Sequence, residues 1–244
     1  MGRLRRAVAP VLKPAIRRHS AWVGSIVGVT TDSPVVVMSY DDGPEPGGTE
    51  AVLAALAEHQ ATATFFVLLT RARQHPGLLA EVASAGHEIA LHGMNHERLT
   101  QLPWREVRRR TIAAKAELED LSGRPVRWLR PPYGRQLPAT WLAIRSAGLE
   151  AVCWGPSSAD SQPWAQAAQL EHALKDLKAG DIMLCHDGFA TLADGADDGP
   201  APSVDRLALN RLLLEGMAQR GLAGVSLERA LAGGTAFRAA WFKR

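Results

Sequence analysis

Cysteine is nearly absent: 244 residues contain only Cys153 and Cys185, which excludes a disulfide framework and agrees with two free thiols in a reduced interior. Long apolar runs are missing as well. No stretch of 18 apolar residues occurs, so no membrane-spanning helix is expected. Acids are absent from residues 1–31, which carry Arg3, Arg5, Arg6, Lys13, Arg17 and Arg18; with a formal charge of +3 for the whole chain, the remainder is net −3. The basicity therefore belongs to an arm, and the mildly acidic body argues against a nucleic-acid partner. The uncharged stretch before Lys13 spans residues 7–12 and contains Pro10, too short and broken for the apolar region of a secretory signal. Arg5 and Arg6 are not followed by the apolar core of a twin-arginine address. These absences lead us to expect a cytoplasmic protein with a loosely ordered basic arm over 1–33, free to touch an anionic membrane surface.

Internal repeats and domain linkers are also missing. With 46% apolar residues, 22 glycines and 15 prolines, the chain reads as a single globular domain, here placed at 34–232, followed by a tail at 233–244. Short β-branched or apolar runs at 35–39, 64–67, 87–91, 126–130, 150–154, 181–185 and 223–226 predict strands. Helical patterns fall between them at 49–59, 76–85, 103–122, 139–147, 164–177 and 204–219, several closed by a glycine such as Gly123 or Gly148. This alternation predicts an α/β fold with parallel strands, and periodicity leaves open whether the sheet is a closed barrel or doubly wound. Residues 188–205, rich in Gly, Ala, Asp and Pro, predict a surface loop after the sixth strand that either serves as a lid or merely connects.

Reactive residues gather at the C-terminal ends of these strands, where α/β barrels build active sites. After the first strand come Asp41 and Asp42, neighbouring carboxylates that repel one another unless a cation intervenes. After the third come His92 and His96, four apart, which a helical turn would place on one face. One of those carboxylates plus two imidazoles makes three ligands and leaves positions open for water, as in catalytic zinc sites. Such a cation acidifies water and polarises a carbonyl, so metal-assisted hydrolysis is the implied chemistry. Further candidates follow the later strands: Arg130 through Gly134, Trp154 through Asp160, and Leu184 through Asp187. A histidine opposite the metal suits a general acid, and a carboxylate free of the metal suits a general base. His19, His59, His75, His87 and His172 sit in no such group and read as structural or surface residues.

These ordered segments resemble the NodB-type polysaccharide deacetylases of carbohydrate esterase family 4, with all five signature regions in sequence over about residues 34–230. The resemblance implies a distorted (β/α)7 barrel, the NodB homology domain, and hydrolysis of an acetyl group on a carbohydrate. It implies that Asp41 is the general base, and that Asp42, His92 and His96 hold one divalent metal ion, zinc being the expected one. His186 matches the general acid and Asp160 the carboxylate that keeps it protonated. Arg130 matches the arginine that orients the base. The Tyr133 backbone N–H matches the oxyanion donor, a type of contact whose loss costs roughly two to three powers of ten in rate. Leu184 matches the apolar wall against the acetyl methyl, and Trp154 a wall of the cleft.

Several positions depart from the family pattern. Tyr40 stands for a phenylalanine before the paired aspartates, and Gly93 for the Ser or Thr that braces the metal loop, with weaker metal binding as the expected consequence. Ser157 and Ser161 replace an aspartate and a tryptophan of the fourth region, the nearest tryptophan being Trp164, and Leu137 replaces an asparagine of the third. An active enzyme with an altered cleft is expected, removing an N-linked acetyl group from an oligosaccharide, polysaccharide or small glycoside. The alternatives are an O-acetyl ester or cyclic-amide hydrolase on the same centre, and a carbohydrate-binding protein that has lost catalysis. Asp194, Asp197 and Asp198 on the long loop are further expected to attract an amino-sugar product.

Overall fold

The computed structural model describes residues 23–197, 199–200 and 202–243. In chain order the strands are β1 (Ser25–Thr30), β2 (Val35–Asp41), β3 (Thr64–Leu68), β4 (Glu88–Gly93), β5 (Trp128–Leu129), β6 (Glu150–Ala151), β7 (Ile182–His186), β8 (Ala223–Val225) and β9 (Thr235–Ala239). The helices are α1 (Gly48–Glu58), α2 (Leu69–Gln74), α3 (Pro76–Ser84), α4 (Trp104–Ser122), α5 (Pro138–Ser146), α6 (Gln166–Leu174), α7 (Arg206–Ala218) and α8 (Leu227–Ala232). Among the described residues no helix is long and apolar enough to cross a membrane.

Strands β2 to β8 form a parallel sheet in the order β6-β5-β4-β3-β2-β7, with β8 pairing the first half of β2. The strands read as nearly continuous apolar runs because both faces are buried. Side chains alternate across the wall. Val36, Met38 and Tyr40 of β2, Phe65 and Val67 of β3, Ile89 and Leu91 of β4, and Met183 and Cys185 of β7 join the core beneath the helices. Val37, Phe66, Ala90 and Ile182 point the other way into a second, inner core. By the same period of two, Ser39, Asp41, His92, Leu184 and His186 belong to the inner face, and those nearest the C-terminal strand ends form its polar rim.

The sheet closes into a distorted barrel where β6 and β7 do not pair directly. Strand β1 crosses that gap, bridging Ile26 to Val152 and Gly28 to Asp181. Above it, the Gly155 N–H donates to the Ile182 carbonyl at 3.0 Å and the Leu184 N–H to the Pro156 carbonyl at 3.0 Å. This decides between the two architectures that periodicity left open, and the distortion is located at one seam.

The boundaries expected at 33/34 and 232/233 cut through ordered structure. Strand β1 lies in the segment assigned to the arm and β9 in that assigned to the tail, and they pair antiparallel from Ser25↔Ala239 to Thr30↔Thr235. The partner of each strand lies at the other end of the chain, out of reach of any local pattern. Arg3, Arg5, Arg6, Lys13, Arg17 and Arg18, with the membrane contact expected of them, lie outside the described residues. The strand predicted at 126–130 shortens to β5 and that at 150–154 to β6, since only two residues of each stay in a ladder. Helices α2 and α8, six residues each, went unpredicted because neither spans two full turns. Cys153 and Cys185 are buried free thiols.

Candidate active site

Parallel pairing sets the level of the reactive groups: Asp41 is in register with Phe66 on one side and His186 on the other. The chain then turns at Asp42, whose φ of 74° is the left-handed conformation that Asp tolerates better than most residues. Asp42 Oδ1 thereby lies 3.3 Å from His92 Nε2 and 3.4 Å from His96 Nε2. His92 is the penultimate residue of β4 while His96 sits in the bend that follows, so the four-residue spacing works through a strand and a bend, not the expected helical turn. The ring centroids are 5.2 Å apart. His92 Nδ1 lies 2.9 Å from the Arg130 carbonyl, which can only accept; in the neutral ring the proton is on Nδ1 and the Nε2 lone pair faces Asp42.

Asp42 Oδ1 is buried and accepts no hydrogen bond, a costly arrangement for a carboxylate oxygen. One ligand atom each from Asp42, His92 and His96 lie within 4.8 Å of one another. A divalent cation satisfies all three at once, so the residues present fit such an ion. Burial pushes the Asp42 pKa up, but the His92 contact and the charges of His96, His92 and His186 outweigh it and hold the carboxyl well below the usual range.

Asp41 is held separately. Arg130 Nη1 donates to its Oδ1 at 2.6 Å, while Oδ2 lies 3.9 Å from His92 Nε2. Arg130 is fully buried, stacks 4.0 Å from the Phe66 ring centre and donates through Nη2 to Ser39 Oγ at 2.9 Å. Across the cavity, Asp160 accepts from the His186 N–H at 2.7 Å and meets His186 Nδ1 at 2.7 Å. Burial works against the imidazolium, yet the Asp160 carboxylate, by charge and hydrogen bond, and then Asp42 and Asp41, push the His186 pKa up to about 9. The neighbouring Asp187 takes no part in this face; its Oδ2 accepts from the Thr49 hydroxyl at 2.6 Å.

The cavity holds about 200 Å³ and is lined by Asp41, Asp42, His92, His96, Tyr133, Trp154, Leu184 and His186, bringing together eight residues singled out in the sequence. Arg130 and Asp160 stand behind Asp41 and His186 as their hydrogen-bond partners. Tyr133 adopts a left-handed φ of 60° and sets its ring edge-on to His96 at 4.3 Å. Next to it, a Cβ on Gly134 would come within 2.5 Å of the Trp154 ring, so only glycine lets that indole close the wall. Ser161 lines the cavity, but Trp164 packs against His172 on the surface.

Other lining residues were not legible one by one. Phe189, Ala190, Pro200 and Pro202 come from the long loop after β7, whose composition had marked it as a lid or a connector. Trp241, from the expected tail, packs 5.2 Å from Trp154 and donates to the Gly134 carbonyl at 2.9 Å, buttressing the wall from outside. Of the loop acids expected to attract an amino sugar, Asp194 is buried, whereas Asp197 is exposed. Asp194 is buried against Arg71, Asp197 pairs with Arg98 at 2.6 Å and with the Tyr133 hydroxyl, and Asp198 lies outside the described residues.

Against known proteins, a family profile described as polysaccharide deacetylase matches residues 28–152. A chitooligosaccharide deacetylase of Sinorhizobium fredii is 36% identical over 162 residues, 65% of this chain and 74% of that protein. A peptidoglycan-N-acetylglucosamine deacetylase of Bacillus cereus is 32% identical over 163 residues, 66% of this chain and 76% of its own. Among solved structures, a family 4 carbohydrate esterase from Streptomyces lividans in complex with acetate superposes with a TM-score of 0.70 at 25% identity, over 85% of this chain and 98% of that one.

Proposed function

This chain belongs to the polysaccharide deacetylase family, and from that premise we propose that it is a metal-dependent N-deacetylase of N-acetylated sugars, whether oligosaccharide, polysaccharide or small glycoside. One observation carries the reading: a buried carboxylate oxygen without a hydrogen bond faces two imidazole nitrogens, with a second carboxylate and a second histidine on the same cavity.

Asp42, His92 and His96 hold the ion, and a donor set of two imidazoles and one carboxylate favours Zn²⁺. When bound, such an ion polarises the acetamido carbonyl and acidifies water at neutral pH. Asp41 is the base: Arg130 occupies Oδ1, so Oδ2 takes the proton from the attacking water as its oxygen bonds to the amide carbon. The carbonyl oxygen gains negative charge and meets the backbone N–H of Tyr133, a residue of the cavity wall. His186 is the acid. Asp160 occupies Nδ1, so the Nε2 proton passes to the sugar nitrogen as the C–N bond breaks, leaving acetate and a free amine. A pKa near 9 keeps that proton in place at neutral pH. Leu184 and Trp154 confine the acetyl methyl and the sugar ring.

The test is acetate release from chitin oligosaccharides, N-acetylated peptidoglycan fragments and small N-acetyl glycosides, before and after chelation and with Zn²⁺ restored. We expect turnover on at least one N-acetylated sugar, loss with chelator and recovery with Zn²⁺. Release only from O-acetylated sugars, or indifference to chelator, overturns the assignment.

A further inference from the structure

At Gly93 the turn that carries the two histidines has no side chain with which to brace itself. Gly93 has a φ of 144°, and a Cβ there would come within 2.7 Å of the Asn95 carbonyl oxygen. Support comes instead from the loop after β7, which supplies no ligand of its own. The Ala190 N–H donates to Asp42 Oδ2 at 3.3 Å, and the Asp194 carbonyl accepts from the His96 N–H at 2.7 Å. One short segment thus touches two members of the triad from outside.

That segment is tied in turn to helix α2. Arg71 donates through Nε to both carboxylate oxygens of Asp194, at 3.0 and 3.1 Å. Its Nη2 reaches Asp194 Oδ2 at 2.8 Å and the Phe189 carbonyl at 2.9 Å. Its Nη1 reaches Glu45, on the turn that follows Asp42, at 3.0 Å. Thr70 adds a hydroxyl bond to Asp194 Oδ1 at 3.2 Å, and its N–H donates to the Met94 carbonyl inside the metal turn at 3.2 Å. Leu68 packs with Ala190 and Ala196 beneath the same loop. Arg71 and Asp194 are both buried, and a rigid guanidinium fork satisfies several acceptors in a fixed geometry that an ammonium cannot reproduce.

We infer that Arg71 and Asp194 are positioning residues for the metal triad: the guanidinium locks residues 189–194 so that one loop simultaneously orients Asp42 through Ala190 and His96 through the Asp194 carbonyl. The inference rests on the metal-centre reading above and deepens it, since it makes the loop after β7 part of the ion's cradle and not only a cover for substrate. Groups that orient ligands from behind typically contribute about 10- to 100-fold in metal affinity.

The test is a Co²⁺ titration of the full chain, followed by calorimetry and by the visible spectrum of the bound ion. Asp194→Asn keeps both the side-chain shape and the carbonyl to His96, and Arg71→Lys keeps the charge but not the fork. Each should weaken Co²⁺ binding by about 10- to 100-fold, with a changed spectrum. Arg73→Ala, on the exposed side of the same helix, should bind as the unaltered protein does. Affinity within twofold of the parent in folded Asp194→Asn or Arg71→Lys overturns the clamp. Should both variants fail to fold, the unaltered protein decides: Co²⁺ should slow amide hydrogen exchange over residues 189–196, and unchanged exchange there overturns it. Absence of Co²⁺ binding by the unaltered chain would instead sink the metal centre itself, which keeps the two failures distinct.

Discussion

Along β2, Val36, Met38 and Tyr40 face the helices, whereas Val37, Ser39 and Asp41 face the barrel interior. The outer layer is apolar throughout, and its one phenol is satisfied by a single partner, Asn210 Oδ1 on α7 at 2.7 Å. The inner layer starts apolar at Val37 and becomes ionic within two pleats. There Asp41 needs Arg130, and His186 needs Asp160, because an unpaired charge cannot remain buried at that depth. A strand of seven residues therefore does two jobs at once. Its last odd positions, Ser39 and Asp41, set chemistry and its even positions set packing, so substitutions on the two sides there should separate rate from stability.

The sharpest break of that comparison is Asp41→Asn. Loss of the base should lower acetate release by about 10²- to 10⁴-fold while metal content, read by elemental analysis, stays at the level of the parent. Retained turnover would move the base elsewhere. Next in size is Asp160→Asn. It removes the main interaction that raises the His186 pKa, so the alkaline fall in rate should start at a lower pH than the value near 9 expected for the parent. A pH–rate profile checks this, and superimposable profiles would exclude the pair.

Stability against pH sharpens the same contrast at two histidines. For His186 the folded pKa of about 9 exceeds the ordinary 6.5, so the stabilisation is complete below 6.5 and is lost as pH rises through 9. For His87, at the opposite end of the strands, burial lowers the pKa to about 4 and its Nδ1 accepts from the Ala63 N–H. There the unfolded chain takes up the proton first, so stability falls as pH drops from 6.5 towards 4. Urea unfolding across this range should show the acid loss disappearing in His87→Gln and the alkaline loss shrinking in Asp160→Asn.

Tyr40→Phe tests the outer face. It leaves Asn210 Oδ1 without its donor in a buried layer, costing about 1–2 kcal/mol in unfolding free energy with the rate unchanged. Smallest of all is Arg73→Ala, which breaks an exposed pair with Glu117 and should shift neither melting temperature nor rate measurably.

Much of this division was legible without coordinates. The apolar runs of β2, β3, β4 and β7, the helices between them, and the position of Asp41, Asp42, His92, His96 and His186 at strand ends all follow from local alternation. A period of two is a property of the extended backbone and shows itself wherever one strand is read. Tyr40 and Asp41 could be assigned to opposite faces on that ground, but the partners each would find there could not.

What the amino-acid order determined by itself was the succession of strands and helices, the end of the sheet that carries the reactive groups, and which residue types meet there. Tertiary structure alone decided the closure of the barrel by β1, the pairing of Ser25 with Ala239, the Trp241 buttress and the Arg71 clamp on Asp194, 123 residues away. Short-range order follows from steric and hydrophobic preferences that each few residues express on their own. Contacts of long separation have no such local trace: they form only once the packed strands have brought distant segments to one place and left a buried charge in need of a partner.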